Sequence, residues 1–306
     1  MNVLLIVNAS ASSVTARTRV VIQKALSADH SVTVAETSRR GHATRLAQGA
    51  AAEGRDAVVV LGGDGTLNEA ANGLAGSSTA LGVLPGGSTN VFARTIGMTN
   101  DPVEATGELL AAMARGAAGR RRIGLGSVNG RYFLFHVGLG FDAAVVEQVE
   151  KRGALKRYAG HPLFVWAAVT TWMRHYDRSR PRFAVRVDGG PVVDDATFAL
   201  CLKTNPYTFL GNRPFDVAPG TGFDTALSLI ASRKLGLLAL VGAAGAGLMG
   251  GRGVKSSRQI AVTRNVESLT VTGHGPFPYQ VDGDYLGEVN NLTLRHEPDC
   301  LDLLLP

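Results

Sequence analysis

The sequence has few cysteines, few aromatic residues and few charges for its length. Only two of its 306 residues are cysteines, and Cys201 and Cys300 lie far apart with neither in a Cys-x-x-Cys pattern. We therefore expect two reduced, buried thiols rather than a disulfide framework or a zinc site. None of the seven histidines stands in a ligand pair, so the sequence predicts no transition-metal site.

Long hydrophobic runs are also missing. The most apolar helical stretch, residues 235–249, is rich in Gly and Ala and is shorter than the ~20 residues that a helix needs to cross a bilayer. The apolar run at residues 3–7 has no basic segment before it, which favours a first β-strand over a signal peptide. These features predict a soluble, cytoplasmic protein.

The composition that is present suits a globular protein with anionic ligands. Hydrophobic residues make up 45% of the chain, which excludes a disordered polymer. Lys and Arg number 31 against 25 Asp and Glu, giving a net charge of +6. A basic excess favours nucleotides, acidic lipid surfaces or nucleic acid as partners. Few aromatic residues stand beside the basic ones and no nucleic-acid motif is present, so nucleic acid is not expected.

The pattern of elements changes near residue 120. Before it, short β-rich runs alternate with helical ones, which predicts a parallel sheet covered by helices on both faces. After it, strand runs follow one another, among them residues 131–137, 268–272 and 279–282, and are separated by Gly, Pro, Asn and Asp, as in antiparallel β-structure. We therefore predict an α/β domain over residues 1–120 and a mostly β domain over residues 121–296.

The strongest local signal is the glycine-rich segment Gly62–Gly65, which follows the apolar run 58–61. Glycines let backbone N–H groups approach a phosphate closely, and a helix that starts there adds partial positive charge. Thr66 and Glu69 have the spacing of a capping box for that helix. The Asp64 carboxylate conflicts with a bound anion unless a divalent cation lies between them. The alternative is an ordinary strand–turn–helix connection.

A second segment of the same kind follows at Pro85–Thr89, after the apolar run 80–84. Loops that follow parallel strands emerge at one edge of the sheet, so the two glycine segments are expected to form one nucleotide cleft. Ser88 and Thr89 offer hydroxyl groups and could cap the next helix.

Together the two segments resemble the diacylglycerol kinase catalytic-domain family, which includes bacterial lipid kinases and sphingosine kinases. Gly138–Ala143 and Val281–Asp284 resemble two further motifs of that family, so the resemblance runs from residue 3 to about residue 300. It implies a nucleotide domain of the diacylglycerol kinase and NAD kinase type and a β-sandwich lipid domain. It also implies transfer of phosphate from ATP, with Mg²⁺, to a lipid hydroxyl at the cleft between them. The last strand, within about residues 297–306, would return to the first domain.

The resemblance also implies which residues bind the nucleotide, although the family's usual Asn-Pro-x-Ser-Gly loop here reads Asn-Ala-Ser-Ala-Ser. They are Asn8, Ala9, Ser10, Ala11, Ser12, Thr37, Gly62, Gly63, Asp64, Gly65, Thr66, Leu67, Asn68 and Ser88. Asp64 would hold the catalytic Mg²⁺ through water. Asp284 would be the general base, where the family normally has Glu, so the shorter side chain needs a closer approach or a bridging water.

A structural magnesium site is implied as well. In some bacterial members an aspartate that matches Asp224 holds Mg²⁺ together with the carbonyl groups at the positions of Thr221 and Ala226. Thr225 replaces the glycine that follows this aspartate in the family. Val91 stands where many members have Asp, and Gly124 stands where some bacterial members have an acidic residue that helps to organise the metal.

The lipid side of the prediction depends on Asp142, whose counterpart in sphingosine kinases contacts the lipid headgroup. The alternative is that Asp142 caps the helix predicted at residues 143–149. The apolar segment 164–169 with Trp172 is interpreted either as a core helix or as the lining of an acyl-chain tunnel. The basic cluster at Arg120–Arg122 could contact anionic headgroups or form a solvated face.

Two other functions fit parts of the sequence. An NAD kinase has a similar glycine–aspartate loop, and a non-catalytic nucleotide- or lipid-binding regulator would account for the acidic residues missing at Val91 and Gly124. The second glycine segment and Val281–Asp284 favour a lipid kinase. The predicted partner is a lipid at the inner face of the membrane, with peripheral contact. A homodimer is left open.

Overall fold

The structure is a computed structural model that describes residues 1–152, 163–177, 179–234, 236, 245 and 254–306. The helix predicted at residues 235–249 lies almost entirely outside the described residues. The chain divides into two compact units, Met1–Leu125 with Pro298–Pro306 and Gly126–Glu297. No helix in the described ranges is both long and apolar enough to span a membrane.

The first unit alternates strands and helices as the sequence predicts. Its elements are β1 (Asn2–Val7), α1 (Ala16–Asp29), β2 (Ser31–Glu36), α2 (His42–Ala52), β3 (Ala57–Gly62), α3 (Asp64–Leu74), β4 (Ala80–Pro85), α4 (Val91–Thr95), α5 (Pro102–Ala114), a 3₁₀ turn (Gly116–Gly119) and the end of the chain's last strand, β16 (Asp284–Leu304). The strands pair in parallel in the order β2-β1-β3-β4, and the end of β16 follows, with Leu303 paired to Leu81 of β4.

The burial of its central strands explains the sequence pattern of this sheet. Every residue of β3 and β4 is buried, which is why both strands are continuous apolar runs instead of alternating ones. The order in which the chain adds strands reverses at β1, because β2 lies on one side of β1 and β3 on the other. Ligands of open α/β sheets bind at such a switch point, outside the carboxyl ends of the strands. The loops after β1 and β3 end there.

One predicted cap in this unit is wrong. Helix α3 begins at Asp64 with Gly63 as its cap and no side-chain capping bond, so Thr66 lies inside the helix. The Glu69 carboxylate accepts hydrogen bonds from the backbone N–H groups of Gly41 and Ala43 at the start of α2. Glu69 therefore holds a neighbouring helix, and the expected capping box does not form.

The second unit is built from antiparallel strands, which confirms the predicted fold class of an α/β domain followed by a strand-rich region. Its strands are β5 (Arg120–Val128), β6 (Arg131–Phe133), β7 (His136–Gly140), β8 (Phe183–Val187), β9 (Val192–Ala196), β10 (Phe198–Leu202), β11 (Thr208–Leu210), β12 (Arg213–Phe215), β13 (Leu227–Ser232), β14 (Ile260–Val266), β15 (Ser268–Val281) and β16 (Asp284–Leu304). The described helices are α6 (Phe141–Glu150), residues 163–170 and a π-helical turn (Thr171–His175).

Two strand predictions in this unit differ from the structure for physical reasons. The run 131–137 forms two strands, because the backbone N–H groups of Leu134 and Phe135 donate to a buried aspartate instead of to a neighbouring strand. The segments 268–272 and 279–282 belong to the single strand β15, whose pairing with β16 shifts register between Thr272 and Phe277. Both cysteines are buried and neither forms a disulfide, as predicted.

Candidate functional site

Three loops of the first unit meet at the carboxyl ends of β1, β3 and β4. The Asn8 side-chain amide donates to Thr66 Oγ1 at 2.9 Å, which joins the first loop to α3. The Gly86 N–H donates to the Gly62 carbonyl at 2.8 Å, and the Ser13 N–H donates to the Gly86 carbonyl at 2.9 Å. The structure thus brings together the loops that the sequence predicts for the nucleotide phosphates.

Glycine is required in this arrangement by the close approach of two backbones. A Cβ at Gly86 would lie 2.8 Å from Gly62 Cα, and a Cβ at Gly87 would lie 2.9 Å from Gly63 Cα. Gly63 is different, since its backbone is extended at φ −86° and its Cβ would meet Gly87 Cα at an ordinary 3.5 Å. Packing therefore explains the glycines at 86 and 87, whereas Gly63 is free of such a constraint.

Asp64 connects the two glycine loops. Its Oδ2 accepts the N–H of Val91 and its Oδ1 accepts the N–H of Phe92, both at 3.0 Å, so the carboxylate binds the first turn of α4. It also stands in the first turn of its own helix, where negative charge is favourable. Each carboxylate oxygen can accept a further hydrogen bond. The charge of Asp64 is thus stabilised by the protein itself, and its water-bridged contact with Mg²⁺ stays a prediction.

Asn90 shapes the second loop and was missed in the sequence. Its backbone is left-handed at φ +49°, its Oδ1 accepts the Gly87 N–H at 2.8 Å, and its Nδ2 donates to the Gly87 carbonyl at 2.9 Å. Because Asn90 precedes α4 directly, Ser88 and Thr89 do not cap that helix. A signal was available, since asparagine adopts the left-handed region more readily than most residues.

The remaining predicted nucleotide residues lie along the same edge, but with different exposure. Ala9, Ser10 and Ser12 are exposed, and Ser10 donates through both its N–H and its Oγ to Asn8 Oδ1. Thr37 follows β2, and its N–H donates to the Val7 carbonyl at 2.9 Å. A small pocket opens beside the two glycine loops. It is lined by Val60, Gly62, Gly63, Asp64, Leu67, Val83, Leu84, Pro85, Asn90 and Ala93.

Four more of the residues predicted to bind the nucleotide are Leu67, Asn68, Ala11 and Gly65. Leu67 and Asn68 have buried side chains in α3, so their contribution to a ligand site is limited to shaping it. Ala11 lies in the first loop, where its carbonyl accepts the Val14 N–H at 3.2 Å. Gly65 is partly buried in the first turn of α3.

In the second unit, Asp142 is a buried carboxylate with two donors. Its Oδ1 accepts the Tyr207 hydroxyl at 2.6 Å and its Oδ2 accepts the Gln280 side-chain amide at 2.7 Å. Burial raises the pKa of Asp142, and the two hydrogen bonds act in the opposite direction. Gly140, not Asp142, caps α6, so the capping interpretation is wrong. Gly138 is needed beside it, because a Cβ there would lie 1.7 Å from Asp142 Oδ2.

The turn Asp282-Gly283-Asp284 joins β15 to β16. Asp282 is buried at φ +49°, and its carboxylate accepts the N–H groups of Leu134, Phe135 and His136 at 2.7–3.0 Å. Three such bonds compensate a buried charge and fix the turn. The Asp284 carboxylate forms an ion pair with Arg131 at 3.5 Å.

Gln280 connects these two carboxylate sites. It donates to Asp142, and its Oε1 accepts the Gly283 N–H at 2.8 Å. The residue predicted to bind the lipid headgroup is therefore joined through Gln280 to the turn that carries the predicted base. Tyr207, Gln280 and Asp282 are the members of this network that sequence reasoning did not assign.

The loop predicted to hold the structural magnesium surrounds the ammonium group of Lys203. Its Nζ donates to three backbone carbonyls of residues 222–225. Burial lowers the pKa of Lys203 to about 8, against the opposing effect of Asp224 and Glu267. Asp224 itself is exposed. Among the described residues, no group of three or more His, Cys, Asp or Glu could hold a metal ion.

Basic residues near the end of the first unit bind the chain itself. Arg122 donates to the carbonyls of Ser77 and Asp299 at 2.7 and 2.9 Å and pairs with Asp302 at 3.3 Å. Arg115 donates to the Leu305 carbonyl at 2.6 Å. These contacts attach residues 299–305 to the rest of the first unit. They support a structural role for Arg122 within the basic cluster.

The helical segment 163–175 has one buried and one exposed face. Leu163, Ala167 and Thr171 are buried, whereas Val165, Trp166, Val169 and Met173 are between 44% and 61% exposed. The Arg152 guanidinium lies 4.4 Å from the centre of the Trp166 ring. The core-helix interpretation therefore covers only one side of this segment.

Comparison with known proteins shows what the first unit is similar to. Residues 2–119 match the model of the diacylglycerol kinase catalytic domain. This match confirms the resemblance that the glycine motifs indicate. The diacylglycerol kinase of Bacillus subtilis (strain 168) is 38% identical over 116 residues, which is 37% of this chain and 37% of that protein. The diacylglycerol kinase of Staphylococcus aureus (strain JH9) is 35% identical over 100 residues, 32% of this chain and 30% of the relative.

The chain thus matches about a third of the length of these relatives in sequence. The fold is shared further. A crystal structure of a diacylglycerol kinase from Bacillus anthracis str. Sterne aligns with a TM-score of 0.71 over 100% of this chain and 97% of that chain, at 20% identity. The second unit therefore has a known fold, although the match to the family model, at residues 2–119, lies within the first unit.

Proposed function

We propose that this protein is a lipid kinase that transfers the γ-phosphate of Mg-ATP to a lipid hydroxyl, with diacylglycerol as the first candidate acceptor. The observation that carries the proposal is the set of three loops at the carboxyl ends of β1, β3 and β4, within the residues that match the diacylglycerol kinase catalytic domain. Phosphoryl transfer demands little covalent chemistry of the protein, so positioning and charge compensation dominate.

In this proposal the loops bind the phosphates through backbone N–H groups. Ala9, Ser10 and Ser12 are exposed in the first loop, and Gly63 needs no side chain for packing. Asp64 contributes in two ways. It fixes the second loop through Val91 and Phe92, and its carboxylate would accept hydrogen bonds from water bound to the Mg²⁺ of the substrate. The metal would neutralise charge that develops on the phosphates.

The acceptor side relies on carboxylates of the second unit. Asp284 would take the proton of the lipid hydroxyl, and the Arg131 ion pair would orient its carboxylate. Asp142 would contact the lipid headgroup. Both of its oxygens already accept hydrogen bonds, from Tyr207 and Gln280, which supports a carboxylate held in one orientation for a polar headgroup.

A membrane surface would supply the acceptor. Val165, Trp166, Val169 and Met173 form an exposed apolar face, and the chain has a net charge of +6. Apolar side chains that insert at the headgroup boundary, combined with positive charge, favour binding to anionic bilayers. We therefore propose peripheral contact with the inner face of the membrane through this segment.

A kinase assay separates this proposal from its alternatives. Purified protein is incubated with Mg-ATP labelled at the γ-phosphate and, in separate reactions, diacylglycerol in mixed micelles, a sphingoid base, or NAD. We expect labelled phosphatidic acid or another labelled lipid, and no labelled NADP. Labelled NADP would instead favour an NAD kinase. Binding of ATP without transfer to any acceptor would favour a regulator and would contradict the proposal.

A sedimentation assay tests the membrane contact. Vesicles with 30% anionic lipid should bind the wild type, and Val169→Asp with Met173→Asp should lower bound protein by about tenfold because charged side chains oppose insertion. The matched control is Val192→Asp, which changes another exposed valine of the second unit. Equal loss of binding in the control, or unchanged binding in the double variant, would contradict this contact.

A further inference from the structure

The ammonium group of Lys203 lies among the backbone carbonyl groups of the loop between Thr221 and Ala226. We propose that the ammonium group of Lys203 organises this loop in place of a divalent metal ion. Lys203 follows β10 directly and is fully buried. Its Nζ lies 2.6 Å from the Thr225 carbonyl oxygen, 3.2 Å from that of Gly222 and 3.4 Å from that of Phe223. The inference does not rest on the proposed kinase activity.

The numbers of donors and acceptors match. A lysine ammonium has three N–H donors and no acceptor, and the loop offers it three carbonyl oxygens. A buried ammonium without such partners would carry a large desolvation cost. Three carbonyl groups that converge on one point would likewise be unfavourable without a positive charge. Each side of this contact therefore stabilises the other.

The rest of the loop is built around this contact. Thr225 Oγ1 accepts the Gly222 N–H at 3.0 Å and donates to the Gly222 carbonyl at 3.1 Å, which closes the turn with a side chain that glycine could not supply. Thr221 Oγ1 donates to Ser228 Oγ at 2.7 Å. The neighbouring carboxylates of Asp224 and Glu267 add favourable electrostatic interactions with the ammonium.

A divalent ion fits this environment poorly. Magnesium requires near-octahedral oxygen ligands at about 2.0–2.1 Å, whereas three carbonyl groups of the loop are already directed at Lys203. A second positive charge beside the ammonium would also be repelled, and this repulsion is strong away from bulk water. Asp224 is exposed, and its charge already interacts favourably with the ammonium group.

Lys203 also connects the loop to the turn before β7. Its backbone N–H donates to the Phe135 carbonyl at 2.8 Å, and the N–H of Phe135 donates to Asp282. The internal cation is therefore fixed at both its backbone and its side chain. Lys203 therefore positions the loop at residues 221–226 relative to the turn before β7.

Metal dependence of the nucleotide-free protein tests the proposal. We expect the melting temperature to agree within about 1 °C between buffers with 5 mM MgCl₂ and with 5 mM EDTA. Lys203→Met should melt at least 5 °C lower, because it leaves the carbonyl groups without a cation. Lys234→Met, which changes an exposed lysine of the same unit, is the matched control and should melt like the wild type.

A count of bound Mn²⁺ by electron paramagnetic resonance keeps the test decisive even if Lys203→Met does not fold. We expect the wild type and Asp224→Ala to bind the same number of Mn²⁺ ions. A site that persists in Asp224→Ala lies elsewhere and supports the proposal. A saturable Mn²⁺ site that is lost in Asp224→Ala would overturn it. So would wild-type protein that loses stability in EDTA and regains it with Mg²⁺, or Lys203→Met protein that melts like the wild type.

Discussion

The polar sites of the two units are built from different groups, backbone atoms in the first unit and buried side chains in the second. In the first unit, loops that follow parallel strands bring backbone groups together, and the contacts run through Gly62, Gly86 and the N–H groups of Val91 and Phe92. In the second unit, buried side chains do this work, with Asp142, Asp282 and Lys203 each held by two or three hydrogen bonds. A backbone site depends on residues that allow close approach, whereas a side-chain site depends on complete sets of partners. Substitutions should therefore act differently in the two units.

The largest effect is expected at Asp284. A general base contributes about 10²–10⁴-fold, so Asp284→Asn should lower kcat within that range with little change in the KM for ATP. Asp284→Glu should keep substantial activity, because it retains a carboxylate. Steady-state kinetics and thermal melting of both variants check this expectation.

If Asp284 were only a turn residue, asparagine would be tolerated, since it suits turns as well as aspartate. An Asn variant as active as the wild type would remove Asp284 from the mechanism. The same would follow from a Glu variant as inactive as the Asn variant.

Asp64 is expected to show the next largest effect. Asp64→Asn can accept only one of the two N–H groups of Val91 and Phe92, and it removes the charge proposed to act on the metal of Mg-ATP. We expect kcat to fall by about 10²-fold or more, with a loss of a few degrees in melting temperature.

Asp101 offers a matched control in the same unit. Its carboxylate also accepts two backbone N–H groups, those of Val103 and Glu104, at the start of α5. Asp101→Asn should leave kcat unchanged and alter the melting temperature little, because a single oxygen accepts both N–H groups and asparagine caps helices about as well as aspartate. Near-normal turnover of Asp64→Asn at saturating Mg-ATP would contradict the role assigned to Asp64.

Substitutions at two glycines distinguish an effect on ATP binding from an effect on packing. Gly63→Val should weaken ATP binding by about tenfold or more, since a branched side chain would cover the backbone beside the phosphates. Gly86→Ala should instead lower the melting temperature, because its Cβ would lie 2.8 Å from Gly62 Cα. Calorimetric titration with ATP and thermal melting distinguish the two outcomes.

Gly107→Ala is the control for both, since a Cβ at Gly107 meets nothing within 4 Å. It should bind ATP like the wild type and melt at the same or a slightly higher temperature, because alanine is favoured over glycine inside a helix. Unchanged ATP affinity in a folded Gly63→Val protein would argue against a phosphate-binding role for this loop.

The smallest effect concerns the pH dependence of stability in the second unit. Burial lowers the pKa of His136 from 6.5 to about 3. Below pH 6.5 the unfolded chain therefore takes up a proton that the folded chain does not, and stability falls as the pH is lowered toward 3. Between pH 7.5 and 5.0, His136→Phe should lose about 3 °C less in melting temperature than the wild type.

His274→Phe changes an exposed histidine of the same unit and serves as the control. It should follow the wild-type pH profile. A His136→Phe profile that coincides with that of the wild type would show that His136 is not held neutral by burial.

The contrast between the units also explains what could be predicted from the sequence. The first-unit loops were predictable because glycines and the apolar runs before them are local signals. The error at Glu69 arose because its partners, Gly41 and Ala43, come from another helix. A capping box and a tertiary contact have the same sequence spacing, and only the packing of α2 against α3 decides between them.

The second-unit network was not predictable in this way. Tyr207 and Gln280 lie 65 and 138 residues from Asp142, the carboxylate that they share. Lys203 precedes the carbonyl groups it binds by about 20 residues, and those groups belong to the backbone, which has no sequence signature. Motif resemblance indicated Asp142 and Asp284, but their partners depend on how distant strands pair.

Hydrogen exchange with and without Mg-ATP tests the central claim most directly. The account predicts that Mg-ATP slows exchange of the amides in residues 8–12, 62–65 and 86–88 and leaves residues 126–152 and 254–297 unchanged when no lipid is present. A lack of protection in the three loops, or protection confined to the second unit, would contradict the assignment of the nucleotide site to the first unit.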